Sequence, residues 1–144
     1  MWYNGIIKWL LRSPFHRFIS SSMMLITYTG LMSGKQYTVP VNYLRLKNDD
    51  SVTFLTTSLR SRTWWRNLRG GAPVTIRMQG KDLVATAKVV EEDEGVAENL
   101  MIYLGKLPDI ARFFQVKLEA NRQPVSADVA LAAQKRVIIQ TQLA

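Results

Sequence analysis

The chain contains no cysteine. Disulfides, thiolate metal sites and cysteine nucleophiles are therefore excluded. Histidine occurs once, as His16, with no acidic residue near it in sequence. A hydrolytic triad would have to be built around that lone imidazole, and nothing in the sequence supports one. No zinc, calcium or P-loop spacing is present. Acidic residues are scarce, 11 against 19 Lys and Arg, which leaves a formal charge of +8. No run approaches the roughly 20 apolar residues of a membrane span, and the N-terminus lacks the small-residue cleavage pattern of a secretory signal. The expectation from these absences is a cytoplasmic protein.

What is present fits an ordinary folded chain. At 144 residues with 47 % apolar content, residues 1–144 are expected to form one domain with a continuous core. The positive excess favours anionic partners such as phosphorylated cofactors, nucleic acid or an acidic membrane surface. Charge is segregated along the chain. Glu91, Glu92, Asp93, Glu94 and Glu98 crowd one segment, whereas Arg60, Arg62, Arg66, Arg69, Arg77 and Lys81 occur with no acid between them. The mixture of arginine and tryptophan raises nucleic-acid binding, but no recognition-helix or aromatic RNA-sheet motif accompanies it, so no nucleic acid is expected.

Residues 2–12 are amphipathic at helical period, with Trp2, Ile6, Trp9 and Leu10 on one arc and Asn4, Lys8 and Arg12 on the other. Residues 1–20 are read as a helical lid, with peripheral membrane contact through residues 2–12 as the rival reading. Period-two patterns follow over 23–90. Tyr37, Val39 and Val41 alternate with Thr38, Pro40 and Asn42. Pro40 cannot donate to a ladder, which implies an edge, a bulge or a barrel rim. Asn48-Asp49-Asp50 reads as a hairpin turn. Residues 92–135 carry helical patterns, with Ser126 as a predicted cap, and 137–141 read as a closing strand. The fold class is mainly β with peripheral helices (α+β), about six mostly antiparallel strands forming a barrel.

Two segments carry candidate chemistry. The first is the turn Gly30-Leu31-Met32-Ser33-Gly34-Lys35, where small residues let backbone N–H groups face an anion and Lys35 adds a charge. The second is Thr63-Trp64-Trp65-Arg66-Asn67-Leu68, read as a short helix capped by Thr63. Adjacent helical residues point about 100° apart, so at most one tryptophan faces a given pocket squarely, and the other packs into the barrel or a subunit interface.

Together, Gly-x-x-Ser-Gly and W-W-x-N-L resemble the deazaflavin- and flavin-binding split β-barrel family, which includes deazaflavin-dependent nitroreductases and quinone reductases. The resemblance covers roughly residues 23 to 90. It implies a split barrel and an oxidoreductase that passes hydride from a reduced deazaflavin (coenzyme F-420), with FMN as the alternative cofactor, to a quinone, nitroaromatic or similar flat acceptor. It also implies cofactor-binding roles for Ser33, Gly34, Lys35, Tyr37, Pro40, Val41, Ser58, Arg60, Arg62, Trp64, Trp65 and Asn67, and a possible homodimer. Tyr103, Phe113 and Phe114 are the expected substrate-binding residues, and no catalytic side chain is expected because the cofactor carries the hydride. The family's turn usually reads Gly-Arg-Lys-Ser-Gly, whereas Leu31 and Met32 stand at its middle positions here. That greasier turn motivates the rival reading, a non-catalytic carrier of a flavin, haem or fatty acyl ligand.

Overall fold

The alternating segments pair into one antiparallel sheet of seven strands in the order β2-β1-β5-β6-β7-β4-β3. The computed structural model describes residues 23–47 and 51–143. The strands are β1 (Met23–Thr29), β2 (Gln36–Asn42), β3 (Leu44–Lys47), β4 (Val52–Leu59), β5 (Ala72–Met78), β6 (Lys81–Val90) and β7 (Arg136–Leu143). Helices α1 (Asp93–Lys106) and α2 (Ser126–Ala133) and two 3-10 helices, Trp64–Leu68 and Pro108–Phe114, complete the described chain. The proposed lid, the amphipathic stretch 2–12, His16 and the turn at 48–50 lie outside the described residues. Among the described residues no helix is long and apolar enough to cross a membrane.

The strand order closes the sheet into a barrel. β2 and β3 are the two outermost strands, yet only Tyr43 separates them in sequence. The sheet must therefore curl until its edges meet there, and the Thr56 hydroxyl donates across that seam to the Asn42 carbonyl at 2.9 Å. This break explains why seven strands form where the sequence pattern suggests about six. Pro40 lies in β2, paired with Leu25 on one side and at the sheet edge on the other, as its missing N–H requires. Pro73 is the second residue of β5. It sits opposite Thr86 of β6 but before Thr75, where pairing with β1 begins, so again no ladder donor is missed.

Alternation along the strands feeds two cores. Met24, Ile26, Val39, Phe54, Ile76 and Ile139 point into the barrel, joined by Trp64, Trp65 and Leu68 at one end. Leu55 and Ile138, one residue out of step, face outward onto Leu100, Tyr103, Leu104, Val129 and Ala133 of the helices. In this outer core burial pushes the Tyr103 hydroxyl pKa up, and it pushes that of the Arg136 guanidinium down. Arg136 stacks on Phe114 with its guanidinium carbon 4.0 Å from the ring centroid.

Two expected caps are replaced by backbone geometry. Neither Thr63 nor Ser126 makes a side-chain capping bond; Ser126 is the first residue of α2, and Val125 precedes it as cap. Two of the crowded acids, Glu91 and Asp93, pair with arginines. Arg69 grips both Glu91 carboxylate oxygens (2.9 and 2.7 Å), and the Arg60 guanidinium donates to Asp93 Oδ1 and to the carbonyls of Glu91 and Ala133. Arg69 holds the Glu91 carboxyl below the usual carboxylate range.

The outer core has a direct check. Replacing Ile138, fully buried between the sheet and both helices, by alanine is expected to cost about 2–5 kcal/mol in urea unfolding. Val84→Ala on the exposed sheet surface should stay within about 0.5 kcal/mol.

Candidate active site

The β1–β2 connection is a tight turn, closed by Gly30 N–H to Lys35 O at 2.8 Å and Gly34 N–H to Gly30 O at 2.9 Å. Gly34 takes φ +69°, a left-handed conformation that glycine adopts without steric cost. At Gly30 an added Cβ would lie 2.8 Å from Tyr37 Cε2 and 2.9 Å from Ser33 Oγ, so side chains close over a bare backbone there. The Ser33 hydroxyl sits 3.1 Å from the Tyr37 hydroxyl and accepts the Lys35 N–H at 3.2 Å. Among the described residues the N–H groups of Met32 and Ser33 meet no acceptor. They remain available to an anion.

The Trp64–Leu68 helix is fastened to this turn. Asn67 Oδ1 accepts the Leu31 N–H at 2.9 Å, and Asn67 Nδ2 donates to the Trp64 carbonyl at 2.9 Å. Trp64 in turn donates its indole N–H to Ser58 Oγ at 3.2 Å, which fixes the plane of its ring. Tyr28 packs against both Tyr37 (centroids 5.8 Å apart, stacked) and Trp64 (6.0 Å, tilted). The result is an open cleft of about 280 Å³, with Tyr28, Tyr37, Thr63 and Trp64 as walls and Gly30, Met32, Ser33 and Asn67 at its turn side.

The two tryptophans, both in the barrel core, differ in what else they meet. Trp64 borders the cleft, while Trp65 seals the barrel end, donates to the Leu59 carbonyl and carries Arg66 and Arg69 over its ring. Larger depressions of about 710 and 810 Å³ exist, but neither touches the turn or the tryptophans. The cleft is therefore the better candidate despite its size.

Ser33, Tyr37, Trp64 and Asn67 thus come together, with Gly34 and Lys35 on the same turn and Ser58 directly behind Trp64. The other expected residues are not at the cleft. Val41 faces the barrel core, Pro40 lies further along β2, and Arg62 is exposed. Arg60 is engaged by Asp93 of α1, by Ala133 of α2 and by the Glu91 carbonyl. Tyr103 and Phe114 belong to the outer core, and Phe113 is 67 % exposed beside Arg112. None of those three aromatics borders the cleft. Sequence reasoning missed Tyr28 and Thr63. The signal for Tyr28 was its place in the inward register of Met24 and Ile26, one residue short of the turn's flank.

The donor set suits a phosphorylated cofactor with a flat ring: open backbone N–H groups and Lys35 beside an aromatic wall. No curated protein matches the chain. Among solved structures, an F420-H2 dependent reductase is 19% identical with TM-score 0.45, over 83% of this chain and 93% of that one. A protein of unknown function from Agrobacterium tumefaciens str. C58 is 14% identical with TM-score 0.51, over 90% of this chain and 55% of that one, so the chain spans about half its length. A third structure, described as a domain-swapped dimer, is 17% identical with TM-score 0.48, over 93% of this chain and 98% of that one. The Agrobacterium likeness speaks to the fold alone. The family model of the F420H(2)-dependent quinone reductases matches residues 14–135, most of the chain, and the protein therefore belongs to that family of deazaflavin-dependent oxidoreductases.

Proposed function

We propose that the cleft beside the β1–β2 turn binds the reduced deazaflavin and that the chain presents its ring to a quinone or similarly flat acceptor. The observation that carries this reading is the bridge through Asn67. One side chain holds the Leu31 N–H of the anion turn and the Trp64 carbonyl of the aromatic wall, so the two parts of the cofactor's site form one rigid unit. Pre-set geometry lowers the ordering cost of binding and fixes the ring for transfer.

The roles divide by chemistry. The Met32 and Ser33 N–H groups and Lys35 would hold a phosphate, with the Ser33 hydroxyl kept in place by Tyr37. Trp64 and Tyr28 would flank the ring, and Ser58 would set the tilt of Trp64. When bound, the reduced deazaflavin supplies the hydride, which is why the site needs no nucleophile or metal of its own. The acceptor would approach the open side of the cleft at Thr63 and Met32, not the outer core of Tyr103.

At about 280 Å³ the cleft is smaller than the roughly 300–1,000 Å³ of pockets that enclose a drug-sized ligand. A second copy of the chain covering the open side would complete it, which makes a homodimer part of this reading; analytical ultracentrifugation of the loaded protein checks it. The rival carrier reading rests on the turn tip, where Leu31 and Met32 are 70% and 101% exposed.

Titration with oxidised deazaflavin, run in parallel with FMN, is expected to quench tryptophan fluorescence saturably for deazaflavin. Trp64→Phe should remove most of the quench and weaken binding about 2- to 12-fold, the equivalent of the ~0.5–1.5 kcal/mol of an aromatic contact. Binding of FMN alone would refute the cofactor assignment. Replacing Leu31 by Arg and Met32 by Lys should tighten deazaflavin at least about tenfold, since each charge-assisted bond to phosphate contributes about 1.5–3 kcal/mol. An unchanged affinity in that double variant would transfer the argument to the carrier.

A further inference from the structure

Among the described residues only Arg60, Arg77 and Arg136 are cations drawn out of solvent; every other described lysine and arginine is exposed. A charge that loses water normally gains an opposite charge or a hydrogen-bond acceptor, because desolvating it alone is costly. Arg60 follows that rule through Asp93 and two carbonyls, and Arg77 through Asp82. Arg136 does not. Among the described residues its guanidinium meets no carboxylate and donates no hydrogen bond. It lies over the Phe114 ring at 4.0 Å, with Tyr103 close enough to act on it electrostatically. The cation–π contact offsets part of the desolvation cost but gives no acceptor to the five N–H donors.

Its surroundings hold more unused polarity. Tyr103 is 2% exposed and packs with Leu100, Val129 and Ile138, yet among the described residues its hydroxyl makes no hydrogen bond. Burial raises the pKa of that hydroxyl and Arg136 opposes the rise, so the two groups stand near one another. Thr57 Oγ1 is buried without a partner on the same face of the sheet, opposite Ile138 and therefore diagonal to Arg136. Leu59, directly opposite Arg136, is 43% exposed. Arg136 opens β7 and Leu59 ends β4, so the pair stands at the rim of the sheet, where a small molecule can reach it.

We infer that Arg136 and Tyr103 form a second ligand site, for the carboxylate of a small apolar acid. A guanidinium fork matches a carboxylate through two parallel bonds, and the Tyr103 hydroxyl supplies a further donor to the same oxygens. One cation selects one negative charge; a phosphate dianion would bring a second charge with no second buried cation to meet it. Leu59 beside the fork and Phe114 against it favour an apolar body over a sugar. The site shares no residue with the cleft at Tyr28 and Trp64, and the inference stands independently of the deazaflavin reading.

The test is a titration of the full chain with benzoate, benzamide and acetate, read by calorimetry and by the side-chain Nε–H resonance of Arg136. Benzoate is expected to bind at least about tenfold more tightly than benzamide, which lacks the charge, or acetate, which lacks the apolar body. Arg136→Gln should weaken benzoate at least about tenfold. Tyr103→Phe keeps the ring and its packing, and should weaken benzoate about 2- to 12-fold while melting temperature and deazaflavin titration stay unchanged. That second variant carries the test should Arg136→Gln fail to fold. Equal affinity for benzoate and benzamide would overturn the inference and leave an apolar patch. Benzoate affinity indifferent to both substitutions would overturn it too, as would shifts confined to the cleft at Trp64.

Discussion

One residue, Tyr43, separates the two strands that lie at opposite edges of the sheet, and the architecture follows from that covalent constraint. A seven-stranded antiparallel sheet left open would expose two unpaired edges. With β2 and β3 joined by a single residue, the sheet must turn through a full circuit, and its inward faces become an enclosed core. Tyr43 itself is buried in that core, edge-on to Phe54 with centroids 5.3 Å apart. Closure leaves one end of the barrel to be stopped, and Trp64, Trp65 and Leu68 stop it. The same plug presents Trp64 to the β1–β2 turn, so the candidate site is a by-product of how the barrel is sealed.

A second constraint holds the helices to this barrel. Arg60 at the end of β4 reaches the start of α1 and the last turn of α2, while its own N–H bonds the Lys135 carbonyl. Exposed ion pairs contribute only about 0–1 kcal/mol each, so the Asp93 contact alone would be minor. The two carbonyl acceptors, Glu91 just before α1 and Ala133 at the end of α2, make the guanidinium a three-way joint. Beside it Arg69 grips Glu91 and lies over Trp65 at 5.2 Å. Because Arg69 depresses the Glu91 pKa, whatever stability that pair adds is present at neutral pH. It is lost as pH falls through the acid range, where the carboxyl protonates.

Much of the fold was legible because period-two alternation is a local signal. Val39 and Val41, or Val74 and Ile76, announce their strands without reference to anything distant. The split at Tyr43 was not legible, since no turn residue marks it and its cause is closure of the whole sheet. The acidic and basic segments were visible as such, but their pairing was not: charge shows in sequence, partners do not. Arg60 therefore read as a phosphate ligand. The aromatics Tyr103 and Phe114 read as apolar, which they are. Which of two cores receives them depends on the handedness of the path from β6 through α1, a tertiary fact. At the site, Ser33, Trp64 and Asn67 were reachable by family resemblance, whereas the bond joining Asn67 to Leu31 needed coordinates.

The excess of +8 leaves most of the described cations without a carboxylate at ion-pair distance. Arginines 60, 69, 77 and 122 are each matched to a carboxylate, so they contribute little net field. Lys35, on the anion turn, is among the described cations that meet no carboxylate. A turn with one cation and two open N–H groups suits a single phosphate near a flat ring. Leu31 and Met32 keep it so, because they stand where two further cations would have made the turn a polyanion site.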